Sequence, residues 1–396
     1  MALSNKPRDV LLVLRAYYFL SYAGLGSLFP FLPLLFARRG FGPREIAWLM
    51  TVVPAMTLIV PPLWGLLADA LHARLQLLRV ACAGSGLAAL LLLPRVGIAG
   101  SIAVMAVIAL FRTPISGLAD AAAVDALRGK DAHFSRIRVW GSLGFAIFAL
   151  LLGLLGASSR PVALLLITAA IYAAAALSTL PLRAPPFERQ PQVARELGRR
   201  LVQPRIVLLL VGNTLHYVGQ STYDAYFGLH ARALGFDDSF VGVAWAVGVS
   251  AEILVMLSGQ WLLSRFAAQK LLVAAALAGT IRWLALAALK TWTGLVVLQA
   301  LHGMTFGLWI LALVSYVQSD APPALRTSLQ SSVYACLGLG TIAGYLLGGE
   351  AFARYGGSAA FELAAIASAA GALCYLGLSR FRDRRGGEPA TAPLAT

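Results

Sequence analysis

Twelve apolar stretches separated by short polar breaks take up most of the chain: residues 10–36, 45–69, 75–93, 99–126, 137–157, 161–182, 205–230, 239–264, 270–290, 293–319, 327–353 and 358–380. Each has about the 20 residues a helix needs to cross a bilayer. Pro, Gly and charges punctuate them, as at Arg38-Arg39-Gly40 and Ala321-Pro322-Pro323. The longest polar stretch, 183–204, carries Arg183, Arg189, Arg195, Arg199 and Arg200 and divides the series into six and six. The pattern predicts an all-α membrane protein with twelve transmembrane helices in two pseudo-symmetric six-helix halves. The halves are residues 1–182 and 205–381, joined by a cytoplasmic linker at 183–204 and followed by a cytoplasmic tail at 382–396. A short amphipathic helix is expected over 193–202, on the membrane surface with its arginines toward lipid headgroups. Met1 to Asp9 is polar and no small-residue cleavage site follows a short apolar run, so the first segment reads as a retained helix.

Composition agrees. Hydrophobic residues are 59% of the 396, charged residues 12%, and mean hydropathy is +0.78. A soluble surface needs about a quarter of its residues charged. The net charge of +15 reads as the cytoplasmic excess of Lys and Arg, and no nucleic-acid partner is expected. With both termini inside, the inner segments hold 21 Lys and Arg and the outer loops 8, leaving Arg15, Arg112 and Arg282 within helices. Arg38, Arg39 and Arg44 in the first outer loop are the exception. The expected location is the cell inner membrane, multi-pass.

Several chemistries have no signature. Cys82, Cys336 and Cys374 are scattered through apolar runs, with no CxxC pair. No G-x-x-x-x-G-K-[ST] or H-E-x-x-H occurs, and Asp237-Asp238 is a lone acidic pair in a short loop. The chain is read as a monomeric non-enzyme without metal or cofactor, whose partners are the bilayer, a small-molecule substrate and protons.

Ionisable groups deep in the segments carry the functional signal, because a charge at mid-bilayer costs about 3 kcal/mol and faces a cavity or a partner. Arg112 lies 12 residues after Gly100 and 13 before Asp125; Glu252 lies 14 after Asp238 and 13 before Arg265. Arg282 and His302 fall slightly outward on the ninth and tenth segments. Four such groups on four helices share one slab, where secondary transporters hold solute and coupling ion. Arg282 and Glu252 as a fixed pair locking two helices is the competing reading. Helical spacing adds polar faces: Asn213, Tyr217, Gln220 and Asp224; Arg15, Tyr18 and Tyr22; Arg112, Ser116 and Asp120; His302 and Trp309; Trp245, Gly248 and Glu252. Arg15 also reads as snorkelling to the interface, and His216 and His230 as packing residues.

These residues together resemble the major facilitator superfamily, in the branch of the phenylpropionate permease and relatives of lactose permease and nucleoside–proton symporters. The likeness runs over residues 11–381. It is carried by Arg15-Ala-Tyr-Tyr-Phe with Leu28-Phe-Pro-Phe-Leu-Pro, by Pro61-Pro-Leu-Trp-Gly-Leu-Leu-Ala-Asp69, by Arg136-Ile-Arg-Val-Trp-Gly-Ser-Leu-Gly-Phe145, by Trp245-Ala-Val-Gly-Val-Ser-Ala-Glu-Ile253 and by Leu301-His-Gly-Met-Thr-Phe-Gly307. It implies the major facilitator fold and a gating role for Asp69 with Arg74. The loop signature between helices two and three is only partly kept: Ala70 stands for the usual basic residue and His72 for the usual Gly. By similarity to lactose permease, Glu252, Arg282 and His302 match its charged residues on helices eight to ten. Thr305 stands where it has a further glutamate, and Arg112 is on the helix where it has a glutamate for sugar. The reading is a proton-coupled symporter of a small organic solute, an aromatic or other organic carboxylate. Glu252, His302 and Asp224 are the candidates for the proton; Arg112, Arg282, Tyr22, Trp245 and Trp309 are those for substrate. A drug–proton antiporter, a nucleoside or sugar transporter, and a non-transporting sensor or membrane enzyme are the alternatives.

Overall fold

The computed structural model describes residues 7–127, 134–182, 194–320, 322 and 326–378. Among the described residues every regular element is helical. Ten segments are long and apolar enough to cross a membrane. Two further helices stand where the pattern places the third and seventh segments, Arg74–Leu90 and Pro204–Ala233. The third is only 17 residues long. The seventh has 30 but carries Asn213, His216, Gln220, Asp224 and His230, which dilute its hydropathy.

Several segments read as continuous are broken. The first is helical at Pro7–Leu28 and Leu32–Arg38, the second at Pro43–Thr57 and Val60–Ala70, the fourth at Ile98–Arg112 and Pro114–Leu127. Proline has no N–H to give and crowds the carbonyl four residues back. Pro30, Pro54 and Pro114 sit at or just before these breaks. The fifth and sixth segments are Phe134–Leu154 and Pro161–Ser178, the eighth Asp238–Leu257 with Gly259–Arg265, and the ninth Ala268–Ala288. The tenth runs Trp292–Leu298, a 3-10 turn at Gln299–Leu301, a π-helical turn at Gly303–Leu308, then Trp309–Asp320. Arg326–Tyr355 and Gly357–Leu378 are the last two.

Three buried apolar clusters show how the segments are arranged. One end of the bundle holds the turns near residues 40, 156, 235 and 356. There a single core joins both sets of six, with Phe31, Phe36, Leu49 and Phe145 against Tyr226, Phe227, Phe240 and Trp245. At the other end the core divides. Tyr17, Leu78, Cys82, Leu118 and Tyr172 form one cluster within the first six segments. Leu209, Leu272, Trp309, Leu313, Val333 and Tyr375 form another within the last six. The molecule is therefore sealed at one end and split at the other. In lipid, close approach of backbones holds helices together, and Gly153 and Gly242 show it at the seal: a Cβ on Gly153 would stand 2.7 Å from Gly242 Cα, and one on Gly242 2.7 Å from Ala149 O.

The expected linker helix is present as Ala194–Leu201; residues 183–193 of the linker and the tail from 379 lie outside the described residues. Arg200 does not simply reach outward: its NH1 donates to the Asp320 carbonyl at 3.0 Å, and Arg205 pairs with the Asp320 carboxylate at 2.8 Å. The Arg200 bond ties the helix to the end of the tenth segment, and Arg205 does the same for the start of the seventh.

Candidate functional site

Arg138 enters at the start of the fifth segment, where the sequence pattern counts it as a loop charge. It is half-buried instead. Its guanidinium lies 4.0 Å over the Tyr22 ring and acts electrostatically on both Asp120 and Glu252. Tyr22 stacks on Tyr18, whose hydroxyl donates to Asp120 Oδ1 at 2.5 Å. One turn after Arg138, Ser142 Oγ donates to Glu252 Oε1 at 3.4 Å. Gly141 makes room for this cluster, because a Cβ there would stand 2.9 Å from the Tyr22 ring and 3.0 Å from an Arg138 nitrogen. Arg138 thus lies within electrostatic reach of a carboxylate of the first six segments and one of the last six.

The last six segments continue the chain of contacts. Glu252 Oε2 is 3.7 Å from His302 Nε2. His302 Nδ1 accepts from Arg282 NH1 at 3.1 Å, and the same nitrogen donates to Thr305 Oγ1 at 2.9 Å. Arg282 NH2 donates to Gln299 Oε1 at 2.7 Å, which also receives the Tyr223 hydroxyl at 3.0 Å. The Arg282 guanidinium lies 4.3 Å from the Tyr223 ring centre and is wholly buried. A direct Glu252–Arg282 lock is therefore not what the structure shows: His302 stands between them. Arg282 is held by neutral acceptors and aromatic faces, arrangements that satisfy a buried guanidinium without a carboxylate. Asp224, which takes a hydrogen bond from Gln220 Nε2 at 3.1 Å, acts on it electrostatically.

The other candidates fall in different places. Trp245 touches Phe29 and Phe145 on one side and Tyr223 and His302 on the other, with ring centres 5.2–6.1 Å apart. Trp309 is turned into the split-end core, where its Nε1 donates to the Tyr375 hydroxyl at 3.0 Å and that hydroxyl donates to Asn213. Arg112 ends a helix two residues before Pro114, so its stripe with Ser116 and Asp120 is interrupted. It contacts Tyr172, lies near Tyr17 and Tyr22, and shares none of Arg282's hydrogen-bond or ring partners. Tyr22 therefore has Arg112 and Arg138 as neighbours, and Arg282 lies in a separate cluster. Asp69 and Arg74 flank a turn at the split end; the Asp69 side chain lies outside the described residues. His72 in that turn has φ +50°, a left-handed conformation that favours glycine, which explains the usual Gly there. Among the described residues no three His, Cys, Asp or Glu are grouped to hold a metal.

Sequence reasoning missed Arg138, Ser142, Gln299 and Thr305 as site residues. Arg138 and Ser142 belong to Arg136–Phe145, the stretch most telling for the family.

The comparisons with known proteins agree with this architecture. The MFS_1 like family matches residues 11–363. The chain belongs to that family. It is a membrane transporter of the major facilitator type. A maltose permease of Geobacillus stearothermophilus is 30% identical over 390 residues, covering 94% of this chain and 95% of the relative. A probable 3-phenylpropionic acid transporter of Escherichia coli (strain K12) is 30% identical over 217 residues, 52% of this chain and 56% of the relative. The crystal structure of the nucleoside transporter NupG superposes with a TM-score of 0.82 at 18% identity, covering 94% of this chain and 100% of that one, a likeness of fold.

Proposed function

We propose that this MFS_1 like family member is a proton-coupled symporter of a small organic carboxylate, with its termini in the cytoplasm of a cell whose inner membrane it spans. Residues 1–182 and 205–381 are the two rocking halves. The 21 to 8 bias of Lys and Arg puts the split end in the cytoplasm, so the conformation is inward-facing. The observation that supports the reading is Glu252 of one half bonded by Ser142 of the other, one turn from Arg138, whose charge acts on both Asp120 and Glu252. A proton on Glu252 cancels its hold on Arg138. The freed guanidinium takes a substrate carboxylate, which Arg112 reaches from the other side of Tyr22. Tyr22 and Trp245 offer ring faces to an aromatic body. His302 accepts from Arg282 at Nδ1, so its Nε2 carries the proton that faces Glu252. In this reading Arg282 holds His302, with Asp224 as the second acid of the relay.

The test is uptake into proteoliposomes under an imposed pH gradient, across a panel of aromatic acids, nucleosides and sugars. Glu252→Gln mimics the protonated acid and is expected to keep solute exchange but lose gradient-driven accumulation. Full accumulation by that variant moves the proton to Asp224 or His302. Arg112→Ala is expected to fold and lose binding of the anion; normal binding with lowered stability makes Arg112 structural. A second reading, a neutral polyol, is favoured by the 30% identity to a maltose permease over 94% of the chain. Asp120 and Arg138 then serve as acceptor and donor for hydroxyl groups, and accumulation of sugars alone in the panel selects it.

A further inference from the structure

One buried histidine has no part in that cycle. His216, on the seventh segment, is 1% exposed. Its Nε2 stands 2.8 Å from the carbonyl oxygen of Thr305, in the π-helical turn of the tenth segment. A carbonyl only accepts, so Nε2 carries the proton and Nδ1 is bare; Nδ1 indeed finds no partner. The ring also stacks on Trp309, the residue at which the α-helix resumes, with centres 5.5 Å apart.

A π-helical turn holds one residue more than an α-turn and upsets the backbone pairing of its neighbours. Here the Trp309 N–H, which would close an α-turn on Thr305 O, bonds Phe306 O instead. His216 adds a side-chain donor to the Thr305 carbonyl inside this altered turn. On the opposite side the turn is pressed against the eighth segment. A Cβ on Gly303 would stand 2.6 Å from Ala251 O, and one on Gly307 3.3 Å from Glu252 Cα. The turn is therefore clamped between His216 and the backbone that carries Glu252. It presents Thr305 Oγ1 to the same Arg282 nitrogen that bonds His302.

We infer that His216 is a positioning residue: by bonding Thr305 O it holds the π-helical turn in place and so sets His302 and Thr305 against Glu252 and Arg282. Its effect on transport rests on the proton-coupled reading above; its effect on His302 does not. A residue that only fills space predicts neither.

The experiment is nitrogen-15 NMR of purified full-length protein labelled at its five histidines, assigned by single replacements, alongside transport. In the unaltered protein His216 is expected as the Nε2–H tautomer with Nδ1 bare; the opposite tautomer overturns the proposal without any variant. His216→Gln keeps an N–H at the same reach, whereas His216→Phe keeps a ring and loses the donor. His216→Phe is expected to disturb the His302 Nδ1 signal and to lower gradient-driven accumulation by about tenfold, as sub-ångström misplacement of a reacting group does, with exchange retained. His216→Gln is expected to match the unaltered protein on both counts. An unmoved His302 signal in His216→Phe, or equal loss in both variants, overturns it. If the unaltered protein shows no gradient-driven accumulation, the coupling reading fails while the NMR comparison still decides the role of His216.

Discussion

Among the described residues, two charged clusters cross between the halves at the sealed end, built on the same charges in opposite surroundings. In one, Asp238 is buried at 3% exposure; it receives the Ser158 N–H at 2.7 Å, the Ser158 hydroxyl at 2.8 Å and Arg232 NH2 at 2.8 Å. Ser158 Oγ in turn accepts from Arg38 Nε at 2.8 Å and from Arg232 at 2.7 Å. In the other, Arg44 grips Glu350 with two bonds, 2.6 and 2.9 Å, and Arg354 joins the same carboxylate. That second group is open to water, with Arg44 57% and Glu350 39% exposed. Counted on the carboxylate alone, three bonds each, the two look equal. By physics they are not: a buried carboxylate that loses its partners is stranded, whereas an exposed one is rehydrated. The Asp238 cluster is the latch, and the Arg44 pair is a guide on the rim.

Removing Asp238 should do most to break that comparison. Asp238→Ala leaves Arg232 and both Ser158 donors without their carboxylate, at a cost of about 3 kcal/mol to the sealed conformation. Electron–electron distances between spin labels at Ser159 and Ala233, in a background without Cys82, Cys336 and Cys374, should then broaden toward an opened seal. An unchanged distribution would show that the shared apolar core closes this end by itself. Ser158→Ala comes next. It removes one donor and one acceptor but keeps the backbone N–H, and should shift the same distribution by about 1–2 kcal/mol. Asp237, the neighbour of the latch, is a helix cap: it accepts from the Phe240 N–H at 3.1 Å. Asp237→Ala should lower thermal stability by about 1 kcal/mol without moving the labels. Bonds from the Ser239 hydroxyl and the Phe240 N–H hold the Asp237 carboxyl below its usual range, so the cap's contribution is present near neutral pH and fades only as pH falls below that of a free aspartate. The smallest effect is expected at Arg44→Ala, a narrow shift of the same distribution that salt erases. A salt-insensitive shift there, as large as that of Asp238→Ala, would overturn the ranking.

The adjacent pair Asp237-Asp238 also shows what one sequence conceals. Both read as loop acids, yet one caps a helix and its neighbour joins two halves, because that difference lies in what the turn after the fifth segment brings across. The helices were legible from apolar run length, and the polar depth of Glu252, Arg282 and His302 pointed to side chains that lie side by side. The interruptions at Pro30, Pro54 and Pro114 were written in the sequence but passed over in favour of continuous apolar runs. Arg138 was hidden because its helix begins at Phe134, three residues earlier than the apolar stretch suggests. Trp309 shares a helical face with His302 only if the tenth segment is a regular α-helix; the π-helical turn breaks that arithmetic and sends the ring into the core. Such a turn has no local signature beyond Gly303 and Gly307.

Trp245 has a consequence for light emission. Its indole has rings of the first six segments, Phe29 and Phe145, on one side and groups of the last six, Tyr223 and His302, on the other. Trp283 and Trp309 are sealed inside the last six, and Trp48, Trp140, Trp261 and Trp292 face outward. In the rocking cycle proposed above, parting the halves exchanges half of the Trp245 surroundings and leaves those of Trp283 and Trp309 intact. The protein thus carries its own optical gauge: the colour and quenching of one tryptophan report which way the transporter faces.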